Sequence, residues 1–142
     1  MLYAARECAR TVLEEGLEAG FARHKLASGA LRAGLEAMGL ELYGDPAHRM
    51  ANVTGVIIPK AIADGERVRR EMLHDFGIEI GTSFGPLAGK IWRIGTMGYG
   101  CRKQTVLITL GALETVLRQQ GYAARSGAGV DAALAVYRAA EG

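Results

Sequence analysis

This chain is short of cysteine, of net charge and of long apolar runs, and each shortage removes a class of protein. Two cysteines, Cys8 and Cys101, stand far apart among 142 residues, with no pair spacing. A disulfide-stapled secreted scaffold is therefore excluded, and a reduced, cytoplasmic setting is expected. Seventeen basic residues against fifteen acidic ones leave a formal charge of +2, too small and too dispersed for a nucleic-acid surface. No apolar run reaches membrane-spanning length. Arg6, Glu7 and Arg10 interrupt the segment where a secretory leader would need unbroken apolar sequence. The three histidines, His24, His48 and His74, are scattered without metal-ligand spacing, so no metal site is expected.

What remains is the composition of an ordinary folded domain: 49% hydrophobic and 23% charged residues. The length suits one domain with a real core. Twenty glycines punctuate the chain at turns without forming a repeat.

Met1 to Met38 reads as a long helix, in one or two pieces, with Leu13, Leu17, Phe21, Leu31, Leu35 and Met38 at helical spacing. Gly16 and Gly20 predict a bend in its middle. No capping residue precedes Leu2, and a domain that opens directly in helix is expected to belong to a longer protein. Gly39 ends the helix. Leu40–Tyr43 reads as a short strand, Gly44-Asp45-Pro46 as a turn, and Val53–Ile58 as the clearest strand, stopped by Pro59. Asp64 is placed to cap a helix over Gly65–Phe76 with Val68, Met72 and Phe76 on one face, and Gly77 to end it. Ile78–Ile80 and Ile91–Ile94 are two further strands around a glycine-rich turn. Gln104–Gln120 is a helix with Val106, Leu110, Leu113 and Leu117 on one face. Ala123–Gly129 reads as a linker and Val130–Glu141 as a last helix. The order predicts an α+β fold: a two-layer small domain with a mainly antiparallel sheet of three or four strands packed by helices.

The chemistry concentrates in Gly77–Gly100. Gly85-Pro-Leu-Ala-Gly89-Lys90 has one residue too few for a phosphate loop, no Ser or Thr after the lysine, and a strand where a helix should follow. Gly95-Thr-Met-Gly98-Tyr-Gly100 lacks the spacing of a dinucleotide fingerprint. Cys101, beside Arg102 and Lys103, reads either as a thiol of lowered pKa or as a plain turn cysteine. Arg93 is different. It stands among apolar neighbours on a strand, and a guanidinium next to a core needs a partner. Its planar fork matches a carboxylate in two parallel hydrogen bonds. That carboxylate is either internal, with Glu79 on the neighbouring strand as the candidate, or one that arrives from outside.

Gly77-Ile-Glu-Ile80, Gly85-Pro-Leu-Ala-Gly89-Lys90 and Trp92-Arg-Ile-Gly-Thr-Met-Gly98 together resemble the C-terminal small domain of class V (fold type I) pyridoxal-phosphate aminotransferases. The resemblance is to their alanine–glyoxylate and serine–pyruvate group. Leu2-Tyr-Ala-Ala-Arg-Glu7, Glu14–Glu18, Arg23-His24 and Val53-Thr-Gly-Val56 share it. Thr82-Ser-Phe-Gly-Pro86 and Gly95-Thr-Met-Gly-Tyr99 resemble the ureidoglycine–glyoxylate branch of purine catabolism. The resemblance spans about Leu2 to Gly121, so residues 1–122 are expected to form the small domain and 123–142 a linker and helical tail. It implies that Arg93 binds the substrate α-carboxylate. It also implies that the Schiff-base lysine and the aspartate facing the cofactor pyridine lie upstream, in a large domain of the same polypeptide. None of Lys25, Lys60, Lys90 and Lys103 sits in the Schiff-base context. By this reading the chain holds no catalytic residue, does not bind pyridoxal phosphate tightly and is inactive alone, whereas the full-length enzyme is a homodimer acting on small amino and keto acids, with glyoxylate as amino acceptor. Ureidoglycine is the expected donor, with alanine or serine as alternatives. A reading of another class is a non-catalytic α+β interaction module whose long first helix packs on a partner.

Overall fold

The computed structural model describes residues 1–142, and it is an α+β arrangement of five helices on one small antiparallel sheet. In chain order these are α1 (Leu2–Glu15), α2 (Leu17–Ala37), β1 (Val53–Ile57), α3 (Gly65–Phe76), β2 (Ile91–Gly95), α4 (Lys103–Gln119) and α5 (Ala128–Glu141). Single 3₁₀ turns occupy Pro46–His48, Gly85–Leu87 and Gly98–Gly100.

The predicted bend in the first helix is a break at Gly16, whose φ of 81° lies in the left-handed region that glycine enters without strain. Gly20 stays inside α2. The break separates two different helices. Past it, α2 buries Ala27, Ala30, Leu31, Gly34 and Leu35. Before it, α1 buries nothing. Leu13, Leu17 and Phe21, expected on the core face with Leu31 and Leu35, stand 81%, 60% and 62% exposed. A helical stripe is buried only where another surface meets it, and within this chain no surface reaches that far.

Strands β1 and β2 pair antiparallel, with Val53 opposite Gly95, Gly55 opposite Arg93 and Ile57 opposite Ile91. Of the other two predicted strands, Leu40–Tyr43 keeps only the isolated bridge of Leu42 with Val56, and Ile78–Ile80 forms none, the second bridge falling one residue later, Gly81 with Arg93. The first is flanked by Gly44, at φ 94°, and by the Asp45-Pro46 turn. The second lies between Gly77, at φ 66°, and the 3₁₀ turn at Gly85. Neither has room to run further along its neighbour, so a three- or four-stranded sheet is reduced to two strands with a bridge on either side.

One face of this ribbon is core. Thr54, Val56, Trp92 and Ile94 are buried there, and the Trp92 indole Nε1 donates to Gly65 O at 3.0 Å, tying the sheet to the start of α3. Asp64 caps α3 as predicted, accepting from the Glu66 and Arg67 N–H groups at 2.9 and 3.0 Å. In α4, Val106, Leu110, Leu113 and Leu117 are all buried, as their spacing requires. Helix α5 joins the same core through Ala133 and Tyr137. It lies so close to α2 that a Cβ on Gly34 would fall 2.5 Å from Leu110 Cδ1 and 2.7 Å from the Gly129 carbonyl. No helix is long and apolar enough to cross a membrane.

Candidate functional site: an arginine on the open face of the sheet

The other face of the ribbon carries Arg93. Side chains alternate across a strand, so Trp92 and Ile94 turn inward and Arg93 outward. Its neighbours across the ladder are both glycines: Gly55 in β1 and Gly81 at the outer bridge. A Cβ at Gly81 would lie 3.5 Å from Arg93 Cβ and 3.7 Å from its Nε. The two glycines therefore leave the arginine stem uncrowded on either side.

The guanidinium is oriented from one edge. Nε donates to Thr82 O at 2.6 Å, and Cζ lies 4.9 Å from the centre of the Phe84 ring. The terminal nitrogens Nη1 and Nη2 form no hydrogen bond or ion pair within the protein. The internal alternative fails here: Glu79 is exposed and does not reach Arg93. What is left free is the pair of parallel donors that fits a carboxylate.

Arg93 opens on a cleft of about 370 Å³ that also receives Tyr43, Val53, Gly55, Leu87 and Ile91. Asp45, His48, Arg49 and, from α2, Arg32 line it too. Asp45 is already engaged, because His48 Nδ1 lies 2.6 Å from its Oδ2 and the Ala47 N–H donates to Oδ1 at 2.9 Å. The His48 contact first, then the Ala47 N–H, holds the Asp45 carboxyl below its ordinary 3.8. Arg49 makes a loose pair with Glu36 at 3.7 Å, and its Nε is buried with no partner. The cleft is thus positive and has no free carboxylate of its own.

Sequence reasoning singled out Arg93 and missed the residues around it. Gly55, Gly81, Thr82, Phe84, Arg32 and Arg49 come together only through register and loop path. A glycine inside the apolar run Val53–Ile58 was the one visible signal of a close approach. Of the two readings of Cys101, the thiol of lowered pKa is the one that fails. It is buried, its Sγ lies 3.5 Å from Arg23 O as a hydrogen-bond donor, and burial pushes the thiol up. His24 Nδ1 contacts Gly20 O at 2.6 Å, within its own helix.

The cleft does not fit pyridoxal phosphate. No lysine lines it. Lys25, Lys60 and Lys90 point to solvent, and Lys103 Nζ pairs with Glu141 at 2.9 Å. The only lining carboxylate, Asp45, is engaged by His48. These residues offer neither an amine for the cofactor carbonyl nor a free acid for its pyridine nitrogen.

Comparison with known proteins finds aminotransferases, each matched over about a third of its length. Over 137 residues the chain is 58% identical to the (S)-ureidoglycine–glyoxylate transaminase of Bacillus subtilis (strain 168), a match covering 96% of this chain and 33% of that protein. The chain is homologous to the glyoxylate aminotransferases. The crystal structure of the ureidoglycine–glyoxylate aminotransferase from Bacillus subtilis superposes with a TM-score of 0.93 at 57% identity, over 96% of this chain and 35% of that one. The serine–glyoxylate aminotransferase of Arabidopsis thaliana is 34% identical over 134 residues, covering 94% of this chain and 33% of the plant protein. This chain therefore spans about a third of the length of the glyoxylate aminotransferases it matches. A match of 137 residues in a chain of 142 also runs past Ala123, beyond the extent read from the sequence. No family model matches the chain.

Proposed function

We propose that this chain is the substrate-carboxylate-binding part of a pyridoxal-phosphate aminotransferase that uses glyoxylate as amino acceptor and ureidoglycine as donor. The observation that carries the proposal is Arg93, with its Nε held by Thr82 O and its two terminal nitrogens free over an open cleft. Those nitrogens receive the carboxylate of the amino or keto acid in a bidentate pair, and the pair fixes the orientation of the α-carbon. Two glycine neighbours keep the approach open, and the positive cleft favours an anion. The cofactor, as electron sink, supplies the bond-breaking chemistry. Its lysine and its acid come from the rest of the polypeptide, because this cleft offers neither. The whole enzyme is a homodimer on this reading, and its setting is cytoplasmic.

The donor is drawn from the 58% identity to the Bacillus subtilis transaminase, against 34% to the serine–glyoxylate enzyme. Steady-state rates of the whole enzyme with ureidoglycine, alanine and serine, each against glyoxylate, test it. Ureidoglycine should have the highest kcat/KM, and a higher value for alanine or serine would reassign the donor. Arg93→Lys should raise KM for glyoxylate about 10- to 100-fold, since a hydrogen bond to a charged group is worth about 1.5–3 kcal/mol and a point charge cannot copy the fork. Unchanged kinetics would make Arg93 purely structural. By itself the 142-residue chain should neither transaminate nor develop the visible absorbance of lysine-bound pyridoxal phosphate.

A further inference from the structure

Arg93 is not the only guanidinium in its cleft. Arg32 comes from α2 and Arg49 from the loop after Pro46–His48, so three separate elements bring arginines to one cavity. Like charges gathered this way repel one another unless an anion joins them. The local carboxylates do not serve. Asp45 is taken by His48 and the Ala47 N–H, and Glu36 reaches only Arg49, at 3.7 Å. Arg32 is half-buried and makes no hydrogen bond or ion pair, whereas Arg23, the other arginine of α2, has Glu15 at 2.5 Å. Arg49, whose Nε is buried without a partner, lines the same cleft. Val53, Leu87 and Ile91 give the cavity an apolar lining. Its volume of about 370 Å³ falls in the range of small-molecule sites, roughly 300–1,000 Å³, and exceeds what a two-carbon acid fills.

We propose that this cleft accepts a small dicarboxylate, one carboxylate on Arg93 and the other on Arg32, with the methylene chain along Val53, Leu87 and Ile91. The inference rests on the reading of Arg93 as a carboxylate clamp and adds a second anchor to it. It makes Arg32 a selector for acids that carry a second negative group, so that four-carbon diacids occupy or block the site that serves glyoxylate.

The test uses the 142-residue chain, whose core is built from its own residues, and follows its amide resonances during titration with succinate, butyrate and inorganic phosphate. Succinate should bind at least about tenfold more tightly than butyrate, the ratio expected for one added charge-assisted contact. Arg32→Gln should remove that advantage and leave butyrate binding unchanged, with Arg32→Lys retaining part of it. Arg93→Gln should weaken both acids. Equal binding of the two acids, absence of succinate binding, phosphate binding more tightly than succinate, or a succinate advantage that survives Arg32→Gln would each overturn the proposal. Butyrate binding that ignores Arg93→Gln would instead overturn the reading of Arg93 beneath it. If Arg32→Gln fails to fold, the wild-type ratio of succinate to butyrate decides the matter.

Discussion

The two faces of the β1–β2 ribbon share one backbone and one register, yet they carry opposite contents. The inner face presents Thr54, Val56, Trp92 and Ile94, all buried. The outer face presents Val53, Gly55, Ile57, Ile91, Arg93 and Gly95, with an arginine that has four of its five donors unspent. A period of two lets one strand serve two purposes, since each residue answers to only one side. The lesson is a separation of tasks: substitutions inside should move stability and leave binding chemistry alone, and substitutions outside should do the reverse.

The largest effect should come from the inner face. Trp92→Ala removes a fully buried indole and its bond to Gly65 O, and should cost about 3–5 kcal/mol in urea unfolding. A loss below about 1 kcal/mol would break the comparison at its strongest point. Next comes the helical layer behind that face. Gly34→Ala pushes a methyl into Leu110 and the Gly129 backbone, and overpacking of this kind costs about 1–3 kcal/mol. The leucine can turn away but the carbonyl cannot, so the melting temperature should fall in step.

A smaller effect is expected at the cap of α3, and it depends on pH. The Arg67 N–H first, with Arg70 and the Glu66 N–H, holds the Asp64 carboxyl below its ordinary 3.8. A lowered folded-state pKa means stability that is present above 3.8 and lost as pH falls through the folded value. Asp64→Ala should therefore be less stable than wild type at neutral pH, and the gap should close in acid. A gap independent of pH would deny the carboxylate its part. The least change in stability should follow Arg93→Gln, within about 0.5 kcal/mol, although it should weaken carboxylate binding. Gly81→Val sharpens the contrast, because a branched side chain beside Arg93 Cβ should weaken carboxylate binding severalfold in titration with little thermal penalty. A large loss of stability in either variant would mean that the outer face is also structural.

Much of the fold was legible because its signals are local. Asp64 and Gly77 bound α3 through capping geometry that depends on neighbouring residues only, and α4 shows its buried face in its spacing. Arg93 stood out as a lone charge between apolar residues. The remainder depends on what lies across space. Leu13, Leu17 and Phe21 have the spacing of a core stripe, and no pattern within a helix reveals whether a second surface arrives to cover it. The outer strands looked as good as the inner ones, but how far a strand extends is set by how long its neighbour runs alongside. Arg32 and Arg49 were unreadable as site residues for the same reason: sixty-one and forty-four positions from Arg93, they meet it only through a fold that brings three elements to one cleft.

The break at Gly16 divides the molecule in time as well as in space. Helix α1 hides no side chain, and beyond its own backbone ladder it is tied down chiefly by the pairing of Glu15 with Arg23. Undoing it exposes almost no new apolar surface, so its amide protons should trade with deuterium at rates close to those of an isolated peptide helix. The amides of α4, behind Leu110, Leu113 and Leu117, can trade only when the whole core opens. One chain thus carries a fast clock and a slow one, and a single glycine separates the first from everything that keeps time with the second.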